Sequence, residues 1–249
     1  MLFSEPLRDL GFAHGFSTRL GGVSEAPYQS LNLAFNVGDR REAVLENRER
    51  FFADLGTSSA DVAEVSQVHG ASVVEVRERG ELPSLREREA DALFTSLPGL
   101  ALGVRSADCV PLLVADPQTG RVAAIHAGWR GVVAGVIAQA LMLLRQAGSH
   151  LDALHIVICP HIRAAAFEVG KDVADALGAI LPEAIESKSG GKFRADLTQI
   201  VRAQLAQSGI AREQIADLGG CTFGDAERFY SYRREGARSG RHLAIIVAP

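Results

Sequence analysis

A chain of 249 residues that is 47% hydrophobic and 22% charged has the composition of a folded globular protein and enough length to bury roughly three quarters of its unfolded surface. This excludes disorder. The net charge of −4 lacks the basic excess of a domain that grips a nucleic-acid backbone, so no nucleic-acid partner is expected.

Three scattered cysteines, Cys109, Cys159 and Cys221, are too few for a disulfide framework and point to a reducing compartment. Glu5 and Pro6 interrupt the stretch where a signal peptide needs an apolar run, so a cytoplasmic location is expected. The longest apolar stretch, 131–144, spans 14 residues and contains Gly131, Gly135 and Gln139. That is short of the roughly 18 needed to cross a bilayer, and it predicts a buried helix with no membrane partner.

In chain order, β-branched or alternating apolar segments predict strands at 12–18, 62–68, 72–76, 91–95, 100–106, 110–115, 121–127, 154–159 and 242–248. Helical periodicity predicts helices at 40–55, 129–147, 169–180 and 197–207, with a possible further one at 212–218. No repeat or linker divides the chain, so one mixed α/β domain over 1–249 is expected. Asp39 with Glu42, and Asp196 with Gln199, have the spacing of capping boxes. In the first helix Arg48 falls on the apolar stripe of Val44, Leu45, Phe51, Phe52 and Leu55. It either meets an anion there or snorkels from the edge of the stripe.

Several chemistries are excluded by inspection. No P-loop, G-x-G-x-x-G, H-E-x-x-H or P-C-x-x-C occurs, and Gly15-Phe16-Ser17-Thr18-Arg19 fails the nucleophile elbow at its last position. The seven histidines include no His-x-His pair, so the ligands of a clustered-copper oxidase are absent. One zinc is easier to supply, because a catalytic site needs three protein ligands and Cys with two His is an accepted set. His69, Cys109 and His126 each stand where an expected strand meets a turn. They lie 40 and 17 positions apart, a spacing with no local metal signature. By type and position alone, a structural cysteine with two satisfied core histidines accounts for them as well. The second histidine opens His126-Ala127-Gly128-Trp129-Arg130-Gly131, where a strand end, an arginine and free helix amides converge as α/β sites require.

Whole segments carry a resemblance. His14-Gly15-Phe16-Ser17-Thr18-Arg19-Leu20-Gly21-Gly22-Val23-Ser24, Ser30-Leu31-Asn32-Leu33, Val37-Gly38-Asp39, Gln67-Val68-His69-Gly70, Ala107-Asp108-Cys109-Val110-Pro111, the segment from His126 to Gly131, Phe167-Glu168-Val169-Gly170 and Tyr230-Ser231-Tyr232-Arg233-Arg234 resemble the YfiH-type purine nucleoside phosphorylase family. That family is also known as laccase-domain or polyphenol oxidase proteins. The resemblance implies a four-layer α/β/β/α fold with mixed sheets and a Zn2+ cofactor on His69, Cys109 and His126. It further implies phosphorolysis of adenosine, inosine and methylthioadenosine, and an adenosine deaminase activity. Where the family reads Gly-Pro-Ala-Ile-Gly-Pro, this chain reads Cys159-Pro160-His161-Ile162-Arg163, which bears on substrate preference.

Candidate roles follow. Asp108 either orients a ligand histidine, acts as a base, or bonds the amides of its own turn. Phosphorolysis needs a cationic clamp on phosphate, for which Arg48 and Arg130 come first and Arg233 and Arg19 second. Phe16, Asn32 and Tyr232 are candidates for purine contact, with core packing as the alternative. Cys159 and Cys221 read as small buried hydrophobes. Two other functions compete: a Cys-His amide hydrolase with Cys109 as nucleophile and His126 as base, acting on serine-containing peptidoglycan precursors to which the same family has been linked, and a non-catalytic metal-binding interaction protein. Small-molecule substrates and a monomer or weak dimer are expected.

Overall fold

The apolar residues of the central strands divide between two faces with period two, and that division builds the layers. A computed structural model describes residues 1–249. Its strands are β1 (His14–Phe16), β2 (Val62–Ala63), β3 (Val73–Glu75), β4 (Ala92–Thr95), β5 (Ala101–Ser106), β6 (Val110–Ala115), β7 (Val122–Ala127), β8 (His155–Ile158), β9 (Glu168–Val169), β10 (Ile185–Ser187), β11 (Phe193–Ala195), β12 (Ile215–Asp217) and β13 (His242–Val247). A four-stranded sheet runs β1-β13-β5-β2 and a six-stranded sheet β12-β8-β6-β7-β4-β3. Both are mixed: β2 and β5, β3 and β4, and β8 and β12 pair parallel, the rest antiparallel.

On β6, Val110, Leu112 and Val114 face one core while Leu113 and Ala115 face another. On β13, Ala244 and Ile246 join Leu113 between the sheets, whereas Leu243 and Ile245 turn outwards. Strands buried on both faces read as unbroken apolar runs, which is why 110–115 and 242–248 are legible. Of the eight helices, α1 (Glu5–Asp9) and α3 (Leu82–Leu85) are short. Helix α2 (Arg41–Ala53) covers the four-stranded sheet through Phe51 and Phe52. Helices α4 (Trp129–Ala134), α5 (Val136–Gln146), α6 (Lys171–Gly178) and α7 (Leu197–Gln207) cover the six-stranded sheet, and α8 (Tyr232–Glu235) precedes β13. The result is an α/β/β/α stack with three cores between its four layers.

Some expected elements change. The helix at 129–147 is broken at Gly135, whose φ of 83° is left-handed and open to glycine without strain. The segment 212–218 is a single 3-10 turn at Arg212–Gln214 followed by β12, which extends the sheet beside β8. Strands β9, β10 and β11 form a small separate sheet whose two- and three-residue strands are too short to show a period. Asp39 does not cap α2. Its carboxylate instead accepts from Ser24 Oγ (2.6 Å), Asn32 Nδ2 (2.9 Å) and the Arg40 amide (2.8 Å), and the helix begins after Arg40. Asp196 does cap α7, accepting the Gln199 amide at 3.1 Å. Tyr230 and Tyr232 are not on a strand: Ser231 between them caps α8 by accepting the Arg234 amide at 3.2 Å.

Candidate metal and substrate site

Cys109 reaches the site from a strained turn. The turn between β5 and β6 places Asp108 at a φ of 99°, a conformation a non-glycine residue adopts only when its surroundings enforce it. The enforcing contacts are the Thr222 hydroxyl on Oδ1 (2.6 Å), and the Ser231 hydroxyl (2.9 Å) and Arg233 amide (2.7 Å) on Oδ2. Ser106 Oγ donates to the Cys109 carbonyl at 2.6 Å and closes the turn. Asp108 therefore neither orients a histidine nor bonds its own turn's amides. It ties the cysteine turn to the segments before α8.

His69 has a φ of 61°, and a buried carboxylate holds it there. Asp91, fully buried at the start of β4, accepts the backbone amides of His69 (3.0 Å) and Gly70 (2.6 Å). The same carboxylate accepts His126 Nδ1–H at 2.8 Å, and the Asp91 carbonyl accepts the His126 amide at 2.7 Å. With Nδ1 committed, His126 keeps Nε2 for a ligand.

The ligand atoms of His69, Cys109 and His126 all lie within 4.8 Å of one another, and the two rings meet edge to face with centroids 4.8 Å apart. Gly128 closes over them. A Cβ there would fall 2.8 Å from His69 Cδ2 and 3.0 Å from Cys109 Sγ, so this junction admits only glycine without displacing the cluster. Burial pushes the Cys109 thiol up, but His126 and His69 beside it outweigh burial and hold it well below the usual thiol range. Burial likewise lowers His126, and the Cys109 thiolate and Asp91 reverse this and raise it. Asp91 is raised by burial, yet its bonds from His126, Gly70 and His69 bring it below the ordinary carboxylate value.

The cluster lines a cavity of about 710 Å³. Its apolar lining includes Trp129, Ile162, Phe167, Val169 and Val173, which belong to the helix-side core of the six-stranded sheet or pack against it. Arg130 stacks on Trp129 with 4.4 Å to the ring centroid, and Arg233 over Phe167 with 5.5 Å. Its polar lining, besides the cluster, includes Asn36, Gln67, Arg105, Tyr232 and Arg241.

Of the residues singled out in the sequence, the structure brings His69, Cys109, Asp108, His126, Arg130, Tyr232 and Arg233 to one cavity. Arg48, Arg19, Asn32 and Phe16 do not line it. Arg48 is 2% exposed, but its anion is Glu64 of the chain itself, its Nη1 donates to the Leu33 carbonyl at 2.9 Å, and its guanidinium lies 5.0 Å from the Phe52 ring centroid. A charge satisfied this way is no substrate clamp. Arg19 binds Glu235 at 3.0 Å and the Gln29 carbonyl at 2.8 Å. Asn32 holds its loop, donating to Asp39 and accepting the Arg241 amide at 3.0 Å. Phe16 packs between the sheets.

Asp91, Arg105, Arg241, Gln67 and Phe167 were not among the expected site residues. The one available signal for Asp91 is a carboxylate directly before an apolar strand. The loop that departs from the family pattern is internally bonded: His161 Nδ1–H donates to the Cys159 carbonyl (2.8 Å), Nε2 accepts from Thr198 Oγ1 (2.9 Å), and Arg163 pairs with Asp217 (2.7 Å). Cys159 is buried, whereas Cys221 is half-buried and its Sγ accepts two backbone amides.

No helix is long and apolar enough to cross a membrane. The family model described as "Multi-copper polyphenol oxidoreductase laccase" matches residues 13–249. A purine nucleoside phosphorylase of Pseudomonas aeruginosa is 41% identical over 234 residues, covering 92% of this chain and 90% of that one. Purine nucleoside phosphorylase YfiH of Escherichia coli K12 is 38% identical over 238 residues, 95% of this chain and 93% of that one. The crystal structure of YlmD from Geobacillus stearothermophilus superposes with a TM-score of 0.91 at 30% identity, covering 98% of this chain and 94% of that one. The family description names several coppers, whereas the potential ligands here form a single three-residue cluster. With its sequence matched almost from end to end and its fold superposing on a solved relative, the chain belongs to this laccase-like YfiH family.

Proposed function

We propose that this protein is a zinc-dependent purine nucleoside phosphorylase, cleaving adenosine, inosine and methylthioadenosine with phosphate. The observation that carries the reading is one cavity joining a Cys-His-His cluster, apolar and aromatic side chains and four guanidiniums, in a chain 41% identical to a purine nucleoside phosphorylase of Pseudomonas aeruginosa. The donor set fits zinc, because a thiolate and two imidazoles are its accepted ligands, His126 Nε2 is left free by the Asp91 bond, and the glycine at 128 leaves the ligand atoms uncrowded. When bound, zinc supplies a Lewis acid with one open coordination position.

The chain's own residues supply binding and orientation. Trp129 and Phe167 offer flat faces to a purine, and the guanidiniums orient phosphate towards the sugar carbon C1′. A phosphate oxygen forms the new bond to C1′ as the C1′–N9 bond breaks. The electron pair stays on the purine, which takes up a proton as it leaves. Hydrolytic deamination of adenosine is the secondary activity in this reading, and it is read out as ammonia released in phosphate-free buffer.

The order Cys109, His126, Asp91 favours a second reading, an amide hydrolase acting on serine-containing peptidoglycan precursors, because a thiolate beside an oriented imidazole is an activated nucleophile. Intact-mass analysis after quenching separates the two. The phosphorylase carries no adduct with nucleoside and phosphate present. A hydrolase accumulates an acyl group on Cys109 with an amide substrate and leaves nucleosides uncut.

A further inference from the structure

The cavity wall holds two half-buried guanidiniums with unused donors. Arg105 is on β5 and Arg241 immediately precedes β13. Leu243 pairs with Arg105 in the sheet register, so Arg241, two positions before Leu243, shares the face of Arg105 as its diagonal neighbour. That face is the outer one, towards α2, since Leu243 belongs to the outer core.

Arg105 Nη2 donates to the Val65 carbonyl at 3.0 Å and its Nε to Gln67 Oε1 at 3.4 Å, leaving Nη1 without a protein acceptor. Arg241 Nη1 donates to the Ser239 and Gly240 carbonyls at 2.6 and 3.1 Å, leaving Nε and Nη2 free. No carboxylate pairs with Arg241. The carboxylate nearest Arg105, Glu64 Oε1, is 3.9 Å from Nε, and the other oxygen of Glu64 is bound to Arg48. Asp108, also on the cavity wall, has both carboxylate oxygens occupied by Thr222, Ser231 and the Arg233 amide. Two guanidiniums on one face, with free N–H groups and only the far oxygen of Glu64 as a shared counter-charge, are left to take a further anion.

We propose that Arg105 and Arg241 form a phosphate-binding subsite, with Arg105 held in position by the buried Arg48 and Glu64 pair. The ligand is a phosphate group, either inorganic phosphate or the phosphate ester of a nucleotide. The choice of pair follows from burial and free donors: Arg130 and Arg233, over Trp129 and Phe167, are exposed, while Arg105 and Arg241 are half-buried and keep N–H groups without a protein acceptor, Arg241 with its guanidinium 5.6 Å from the Tyr232 ring centroid. The subsite rests on the phosphorylase reading for its purpose but not for its existence. Arg48 then serves phosphate at one remove, through Glu64.

The test is calorimetric titration of the purified protein with inorganic phosphate, adenosine 5′-monophosphate and adenosine, without turnover. Arg105→Met and Arg241→Met are each expected to weaken phosphate binding by about tenfold and to leave adenosine binding within about twofold. Arg105→Lys, which keeps the charge, should recover part of the loss and so excludes a general folding defect. Glu64→Gln, a positioning change, should weaken phosphate binding less than Arg105→Met while leaving adenosine untouched. If adenosine 5′-monophosphate binds more tightly than adenosine and both methionine variants remove that advantage, the ligand is the ester. If only inorganic phosphate is affected, the ligand is the free anion. Phosphate and monophosphate binding unchanged in both methionine variants overturns the subsite. A protein that loses phosphate binding in the variants yet cleaves no nucleoside keeps the subsite and overturns the phosphorylase reading instead.

Discussion

Asp91 and His126 are joined by a 2.8 Å hydrogen bond between side chains 0% and 3% exposed, and the same carboxylate carries the backbone of His69. One buried acid thus sets both the ring tautomer of one candidate ligand and the left-handed turn that presents another. Asp91→Asn should therefore weaken metal binding by about 10- to 100-fold, as loss of a carboxylate behind a ligand histidine typically does. Competition against a chelating dye checks this. Wild-type affinity in the asparagine variant would show that backbone packing alone holds the two histidines.

Gly128→Ala places a methyl group against Cys109 Sγ and His69 Cδ2. The expected result is a folded protein with reduced metal content, because the crowding falls on the cluster and not on the core. Metal analysis beside a thermal melt reads both. Cys109→Ser and His126→Ala should lose the metal, whereas Cys159→Ser, at a buried strand-end thiol away from the cavity, should retain about one ion per chain.

Arg48→Ala should cost stability directly. It strips the counter-charge from buried Glu64, and breaking such a pair costs about 3–5 kcal/mol. Arg48→Met combined with Glu64→Leu should recover most of that loss. The pH dependence has a definite sign. Burial raises Glu64, but Arg48 and Arg105 outweigh it and leave the group below its usual 4.5, so the pair's contribution is complete above 4.5 and lost as pH falls through the lower folded value. Denaturant midpoints measured from pH 6 downwards should converge for wild type and Arg48→Ala.

Two buried neutral histidines add a second acid-sensitive contribution. Burial lowers His161 to about 4 and His242 to about 3, and His242 Nε2 accepts the Tyr230 amide at 2.8 Å, a bond that protonation removes. The unfolded chain binds these protons first, near 6.5, so stability should decline as pH falls below 6.5 and level off near the folded values. His161→Gln should flatten the slope between pH 6.5 and 4. An unchanged slope would assign the acid sensitivity elsewhere.

Strands β6 and β13 were legible because they are buried on both sides and read as continuous apolar runs, while the four layers came only with the family resemblance. The order of the strands was not legible, since a run's length says nothing of its neighbours. Cys109 and His126 were legible at strand ends, whereas the strand expected at 62–68 stops at Ala63 and leaves His69 on the loop before β3; only the family resemblance joined positions 69, 109 and 126. Asp91 was hidden because one aspartate before a strand reads as turn chemistry. Arg48 shows the limit of periodicity: its inward face follows from the stripe on α2, while its partner Glu64 comes from the loop after β2, beyond the reach of any helical pattern. Arg105 and Arg241 were missed for a related reason, as only the pairing of β5 with β13 makes them neighbours.

The most direct test of the phosphorylase reading is product analysis of inosine by phosphorus and proton NMR, with phosphate titrated from zero, on protein of known metal content. The account requires hypoxanthine and ribose 1-phosphate to appear in equal amounts, at a rate that rises with phosphate and vanishes without it. Hypoxanthine released at the same rate in phosphate-free buffer, with free ribose as the second product, would contradict it.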